Sequence, residues 1–537
     1  GVSKTMNCSS SPLSYFIKDG ATLKIDGGEL VITNFQGSFE ISGTGVETGK
    51  LAVVAGLFRI APRGTGTIQP MKIKTGGAVE ITGGVFNTQR NRAEDYARDS
   101  CVVKQEGGTL TVSGTGRYDM KGQVHPWTTF GTGFSALSGN AVITNRNGHL
   151  LVKPSASGET AELVVKDKAN YAGSSGGYLR AGGCAGGTAK VLFDANVDFG
   201  PAARNAGGSA LCILVGDGHG IALVEQRQGY LSAGQMGVSI GGTCEYREET
   251  AGCEGTYVLK GGTLEAWGTD NEGWGQLYGP MGLAVGCGYY TKTTEGRAYH
   301  GVLRIEGGTV DSYSGYTTVG GGYGRGEVVQ DGGTFQAQRT YMAIGYGHGV
   351  GRYVISNGTA TVSCPLYIGG ADLSLCNYNA KFTATLCPWI NLHDAEGTLS
   401  VAGGTFTATT KDTTLGVDGA GTIEMDGSKG RLTLKNVIFT HRDDNAASGG
   451  TLRFKLDADG VSPIKATSVT FDEKAKIEVD LGGYEGRSLK LVESASVTGF
   501  DPNMVTITGA RVKDATVKVT PAGLRLSLAQ GMMILLR

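Results

Sequence analysis

The residues of this 537-residue chain that could do acid–base or metal chemistry are short acidic pairs and scattered histidines. Asp443 and Asp444 stand together in HRDD, Asp457 and Asp459 in DADG, and Glu248 and Glu249 in EYREETAG. Two carboxyl groups at a fixed separation are what glycosidic bond cleavage needs, and a carboxylate set can hold calcium. DADG offers at most a weak Ca2+ site, because the full twelve-residue calcium loop is missing. Each pair also reads as a solvated turn. The histidines, at 125, 149, 219, 300, 348, 393 and 441, lie far apart, and His219 and His348 sit in the glycine turns GDGHG and GYGHG. There is no CxxC pair, which argues against zinc. Strings resembling GxGxxG carry no weight in a chain with 91 glycines. The sequence therefore assigns no catalytic, cofactor-binding or metal residue.

Two other groups have chemical interest. The ten cysteines are even in number, and Cys244 and Cys253 bracket a polar stretch that a disulfide could close. Cys184 with Cys212, and Cys364 with Cys387, are further candidate bridges, and disulfides would indicate export. Aromatic residues concentrate between 267 and 353. Within that stretch Tyr313, Tyr316, Tyr323, Tyr341 and Tyr346 form a candidate surface for glycans or protein partners, with buried stacking as the alternative.

The elements that must position these residues are written in glycine. Seven anchors, Gly84, Gly108, Gly262, Gly308, Gly333, Gly358 and Gly404, are spaced by 24, 154, 46, 25, 25 and 46 residues. The 25-residue step is the signature of a repeat array, and the two gaps of 46 read as double steps of 23. Threonine follows six of the anchors, and glycine precedes six of them by seven residues. Between these marks the chain alternates apolar and polar, as in Leu303/Ile305 and Val310/Ser312, which is the pattern of half-buried strands. A third segment pairs an apolar residue with a following glycine at Val285, Val319, Ile344, Ile368 and Leu415. Three strands in each coil of about 25 residues predict an all-β, right-handed parallel β-helix. Gln105 and Gln330, in the same register, suggest buried amides, either laddered or satisfied singly.

From about 430 glycine thins out and the segments read as antiparallel or mixed strands. The expected organisation is an N-terminal cap with first coils over 1–50, the parallel β-helix over 51–429, and a C-terminal β-rich cap or assembly domain over 430–537. Within the last segment Leu524, Leu526, Met532, Ile534 and Leu536 form a candidate assembly strand that could add to a neighbour's sheet edge. Net charge is −1, which gives no reason to expect nucleic acid, and no apolar run reaches the length of a spanning helix. The first residue, Gly1, points to N-terminal processing.

The unit is best seen in GTLSVAGGTFTATT (397–410) and GVLRIEGGTVDSY (301–313). It resembles the glycine-rich β-helical repeats of bacterial exported surface proteins: autotransporter-like passenger domains and the large repeat proteins of planctomycetes and verrucomicrobia. The resemblance implies an extracellular or cell-surface location and a structural or adhesive role. The chain ends GMMILLR rather than in the aromatic residue of an autotransporter barrel. Repetition without a catalytic constellation leads us to expect a non-enzymatic, filament-forming or adhesive β-solenoid that self-associates. The alternatives are a polysaccharide lyase or glycoside hydrolase on the same scaffold, and an adhesin that binds cell-surface glycans.

Overall fold

The structure is a computed structural model. It describes residues 3–7, 15–35, 39–44, 46–62, 71–89, 103–121, 127–145, 149–173, 178–195, 198–199, 212–216, 220–233, 237–242, 253–267, 281–288, 299–313, 315–370 and 394–528. The chain divides into two compact units. The first is Gly1–Gly241 with Ala251–Trp267, and the second is Gly242–Thr250 with Gly268–Arg537. Both are parallel β-solenoids.

In the first unit one ladder runs through Thr22–Phe35, Gly49–Pro62, Gly77–Ile81, Val103–Val112, Trp127–Leu137, Thr160–Asp167, Thr188–Ala195, Gly220–Gln226 and Cys253–Leu259. Every successive pair is parallel. In the second unit the matching ladder is Tyr299–Ile305, Gly324–Ala337, Val350–Val362, Ala395–Val401, Gly419–Asp426, Gly449–Lys455, Lys476–Asp480 and Val505–Thr508. Two further ladders complete each coil. One carries the apolar–glycine segments: Met281–Gly288, Tyr316–Gly322, Tyr341–Gly347, Leu366–Ile368 and Thr413–Leu415.

The alternation read from the sequence becomes the wall of the core. Tyr299, Leu303 and Ile305 are buried while His300 and Arg304 between them are exposed, because successive side chains leave a strand on opposite faces. Equivalent inward positions stack on their neighbours. Phe58, Phe86 and Tyr118 follow one another in register in the first unit, with ring centroids 5.6 and 5.0 Å apart. In the second unit Phe335 and Phe406 share a register with Ala360 between them, and Tyr353 from the neighbouring strand segment meets both rings edge-on, at 5.3 and 5.6 Å.

Glycine is required where two turns of the coil nearly touch. Gly345 has φ +72, and a Cβ there would lie 2.2 Å from the Glu396 carbonyl oxygen. On its partner Gly397 a Cβ would lie 2.0 Å from the Ile344 carbonyl oxygen. No side chain fits at either place.

Two expectations are corrected. The 46-residue gap between Gly358 and Gly404 is a single step, since Thr359 pairs directly with Thr405. The extra length is residues 371–393, which lie outside the described residues. Position 430 is also no change of architecture: Gly419–Asp426 pairs in parallel with Gly449–Lys455, and the ladder continues to Val505–Thr508. Glycine thins there, and aspartates join it at the corners. The side chains of Asp457, Asp472, Asp480 and Asp501 each accept the backbone N–H two residues on. Aspartate thus adds a side-chain hydrogen bond to these turns, and in those of Asp457 and Asp480 a positive-φ glycine, Gly460 and Gly482, still completes the corner. Among the described residues, antiparallel strand pairing is confined to Gly523–Leu528 between Ser488–Glu493 and Ala515–Thr520, apart from an isolated bridge between Asp457 and Gly460.

Candidate functional site

Three glutamines fasten the coils from inside. Gln105, Gln226 and Gln330 are buried, and each stands three residues before a glycine at a strand corner. The Gln330 Nε2 donates to the Gly333 carbonyl in its own coil and to the Thr359 carbonyl in the next, both at 3.1 Å. Its Oε1 accepts from the Tyr353 hydroxyl at 2.7 Å. Gln226 repeats this with Gly229, Thr263 and the Tyr257 hydroxyl. Gln105 does so with Gly108, Phe134 and the Ser135 hydroxyl. These amides do not stack on one another, so the satisfied single glutamine is correct and the ladder is not. Burial pushes both tyrosine hydroxyls well above the usual range, which keeps them protonated as donors.

The tyrosine surface is largely an interior. Tyr323 and Tyr341 are 4% exposed and Tyr346 is 2% exposed. Tyr316 and Tyr341 do share a register, their rings in tilted contact with centroids 4.4 Å apart, and Tyr367 meets Tyr341 edge-on at 6.0 Å. Tyr313 and Tyr316 alone of the five keep partial exposure. The Arg339 guanidinium lies 4.9 Å over the Tyr313 ring and donates to its hydroxyl. A continuous exposed ladder over all five positions is thereby excluded. Strand Tyr341–Gly347 is buried on both faces, and strict alternation cannot announce that.

The other named residues divide as follows. Cys253 is buried at the start of its strand, while Cys244 lies outside the described residues, as do Cys387 and Glu248 with Glu249. No disulfide joins described cysteines. Cys364 is buried, and burial pushes its thiol up to about 12, so it is an inert thiol at neutral pH. Leu524 and Leu526 are fully buried in Gly523–Leu528, whose two edges are both hydrogen-bonded within the chain. They are therefore taken by this chain's own fold; Met532, Ile534 and Leu536 lie outside the described residues. The DADG carboxylate of Asp457 is also occupied. One oxygen accepts from the Ser428 N–H and hydroxyl, the other from the Asp459 N–H. Those donors hold it below the usual carboxylate range and compete with a cation for the same lone pairs. No metal-holding cluster occurs among the described residues.

The structure also assembles groups that are distant in sequence. Register sets Tyr323, His348, Asp394 and Asp418 at one corner of successive coils, each directly before paired strand residues. His348 Nδ1 lies 2.5 Å from Asp394 Oδ1, and the Tyr323 ring meets the imidazole edge-on at 5.5 Å. Asp418 is nearly buried and receives the Arg442 guanidinium at 3.2 Å. Further along this side, His441 bonds Asp472 at 2.7 Å beside a groove of about 770 Å³. The sequence hides this contact: His348 and Asp394 are 46 residues apart, a gap that reads as two steps and is one coil with an insertion.

Comparison with protein-family models, curated proteins and solved structures finds no match to this chain. Function must be read from the geometry.

Proposed function

We propose that this chain is an exported, non-enzymatic structural protein of the cell surface, a β-solenoid that self-associates into filaments or adhesive layers. The observation that carries the reading is where a set of outward charges goes: beside ion pairs within single strands, others pair with the adjacent coil. Lys74 meets Glu40 at 3.0 Å and Arg227 meets Asp194 at 3.2 Å in the first unit. In the second unit Lys455 meets Glu424 at 2.9 Å, Arg453 meets Glu478 at 2.7 Å, and Arg352 meets Glu327 at 3.3 Å. Charges committed to neighbouring coils stiffen a scaffold; a catalytic carboxylate has to face substrate instead. Open strand edges supply the means of association. Among the described residues, Ser496–Thr498 and Val505–Thr508 are each paired on one side only. Negative-stain electron microscopy over a concentration series checks this: filaments or ordered clusters are expected, and dispersed single particles throughout would count against it.

One observation favours a second reading, cleavage of a polysaccharide. Asp394 and Asp418 occupy the same corner of adjacent coils, whose strands stack about 4.8 Å apart, so two carboxyl-bearing residues, the element glycosidic cleavage needs, stand on one side of the stack. His348 is bonded to the first of them. Incubation with a panel of acidic glycans, followed by assay for reducing ends and unsaturated uronates, tests it. Activity lost in Asp394→Asn supports the reading, and inactivity of the intact chain across the panel removes it.

A further inference from the structure

Between strands Arg431–Phe439 and Gly449–Lys455 the chain makes a strap, His441 to Ser448, shaped by its own Ser448 and Asn445 hydrogen bonds and tied to the flanking coils mainly by charged side chains. Arg442 reaches back to Asp418 on the preceding coil at 3.2 Å, and Asn445 Nδ2 donates to the Asp418 carbonyl. From the following coil the Lys474 ammonium donates to the Arg442 and Asn445 carbonyls, both at 3.1 Å. Ala446, Ala447 and Ser448 form one wall of the groove of about 770 Å³, and Asp472, Glu473 and Lys474 form another.

His441 is the one member of this set whose ordinary pKa lies near neutrality. Its Nδ1 is 2.7 Å from Asp472 Oδ2, and its Nε2 is 3.2 Å from Asp443 Oδ1 and 3.6 Å from Glu473 Oε1. With Nδ1–H donated to Asp472, a neutral imidazole turns a lone pair at Nε2 toward two carboxylates. The imidazolium presents an N–H there instead. We propose that residues 441–448 form a pH-operated strap on the groove, latched while His441 is protonated and loosened when it is neutral.

The groups facing the imidazole are Asp472, Glu473 and Lys474 from the next coil and Asp443 from the strap, with Arg442, Asp444 and Asp418 beyond. Histidine is the residue type among them that changes charge between pH 5 and 8. The Asp472 hydrogen bond is the largest influence and raises the His441 pKa. Partial burial and Lys474 oppose it, while the charges of Asp472 and Glu473 add to it. A pKa raised by folding means the latch is complete below the unfolded value of about 6.5 and is lost as pH rises through the folded value.

The test is amide hydrogen exchange of peptides covering 441–448 at pH 5.5 and 8.5, corrected for intrinsic chemical exchange. Strap protection is expected to fall several-fold at the higher pH, while protection of Gly419–Asp426 stays constant. His441→Gln, which cannot take up the proton, is expected to show low protection at both values. Asp443→Asn, which keeps the histidine but removes one facing carboxylate, is expected to flatten the dependence. Equal strap protection at both pH values in the intact chain, or a His441→Gln profile matching it, overturns the proposal. Should His441→Gln fail to fold by circular dichroism, the intact chain and Asp443→Asn decide the matter.

Discussion

Residue by residue, the solenoid is held at points where one polar side chain answers several backbone groups at once. Gln330 is the clearest case, since its amide serves two carbonyls and a tyrosine hydroxyl in two coils. Gln330→Leu removes all three bonds from a buried site, and chemical denaturation is expected to show a loss of roughly 3 kcal/mol or more. Gln330→Glu tests the same point by charge. The carboxylate cannot donate to the two carbonyls, so the acid is held protonated in the folded state and its pKa rises above the unfolded value. Stability of this variant is expected to be lowest at neutral pH and to recover as pH falls toward about 4.3, the opposite of the parent. The sequence placed Gln105 and Gln330 in one register but left open whether they ladder. Only the partners in the next coil decide that, and no single strand encodes them.

The strand and corner are the scale at which the sequence spoke most plainly. Glycine anchors, alternation and the apolar–glycine segments predict three short strands per coil, and those strands form in parallel register. The reading failed where a corner is built differently. After 430 the aspartate-closed turns hide the repeat from a search for glycine pairs, although the ladder runs on. These turns supply a prediction. Asp457 accepts donors from Ser428 on the preceding coil as well as from its own turn, so Asp457→Ala should cost more than Asp459→Ala. A difference of about 1–2 kcal/mol by thermal or chemical denaturation is expected. Gly345→Ala is a second test at this scale. Its φ of +72, and the Glu396 carbonyl oxygen 2.2 Å from where the new methyl would stand, forbid the substitution, and loss of the folded far-ultraviolet spectrum is expected.

In each unit, charge arranged coil to coil contributes to stability. Burial alone would raise the Glu424 pKa, but the Lys455 hydrogen bond and charge, Ser400 and Arg453 bring it below the ordinary value of 4.5. Glu225 behaves likewise, with burial opposed by Arg227 and Lys260. Carboxylates lowered by folding contribute stability that is present above the unfolded pKa and lost as pH falls through the folded one. The melting temperature is thus expected to fall below about pH 4.5, with raised salt flattening the change. Function was less legible than fold. A repeat fixes which residues recur, whereas the corner of His348, Asp394 and Asp418 and the strap at His441 depend on insertions and turns that break the repeat.

The central claim is self-association through unpaired strand edges, and sedimentation velocity over a concentration series tests it most directly. The intact chain is compared with a Thr506→Lys, Thr508→Lys double variant, which sets two charges on exposed positions of Val505–Thr508. The account predicts that the intact chain moves to progressively larger species as concentration rises, while the double variant stays monomeric with an unchanged circular dichroism spectrum. An intact chain that sediments as a monomer at every concentration would contradict it.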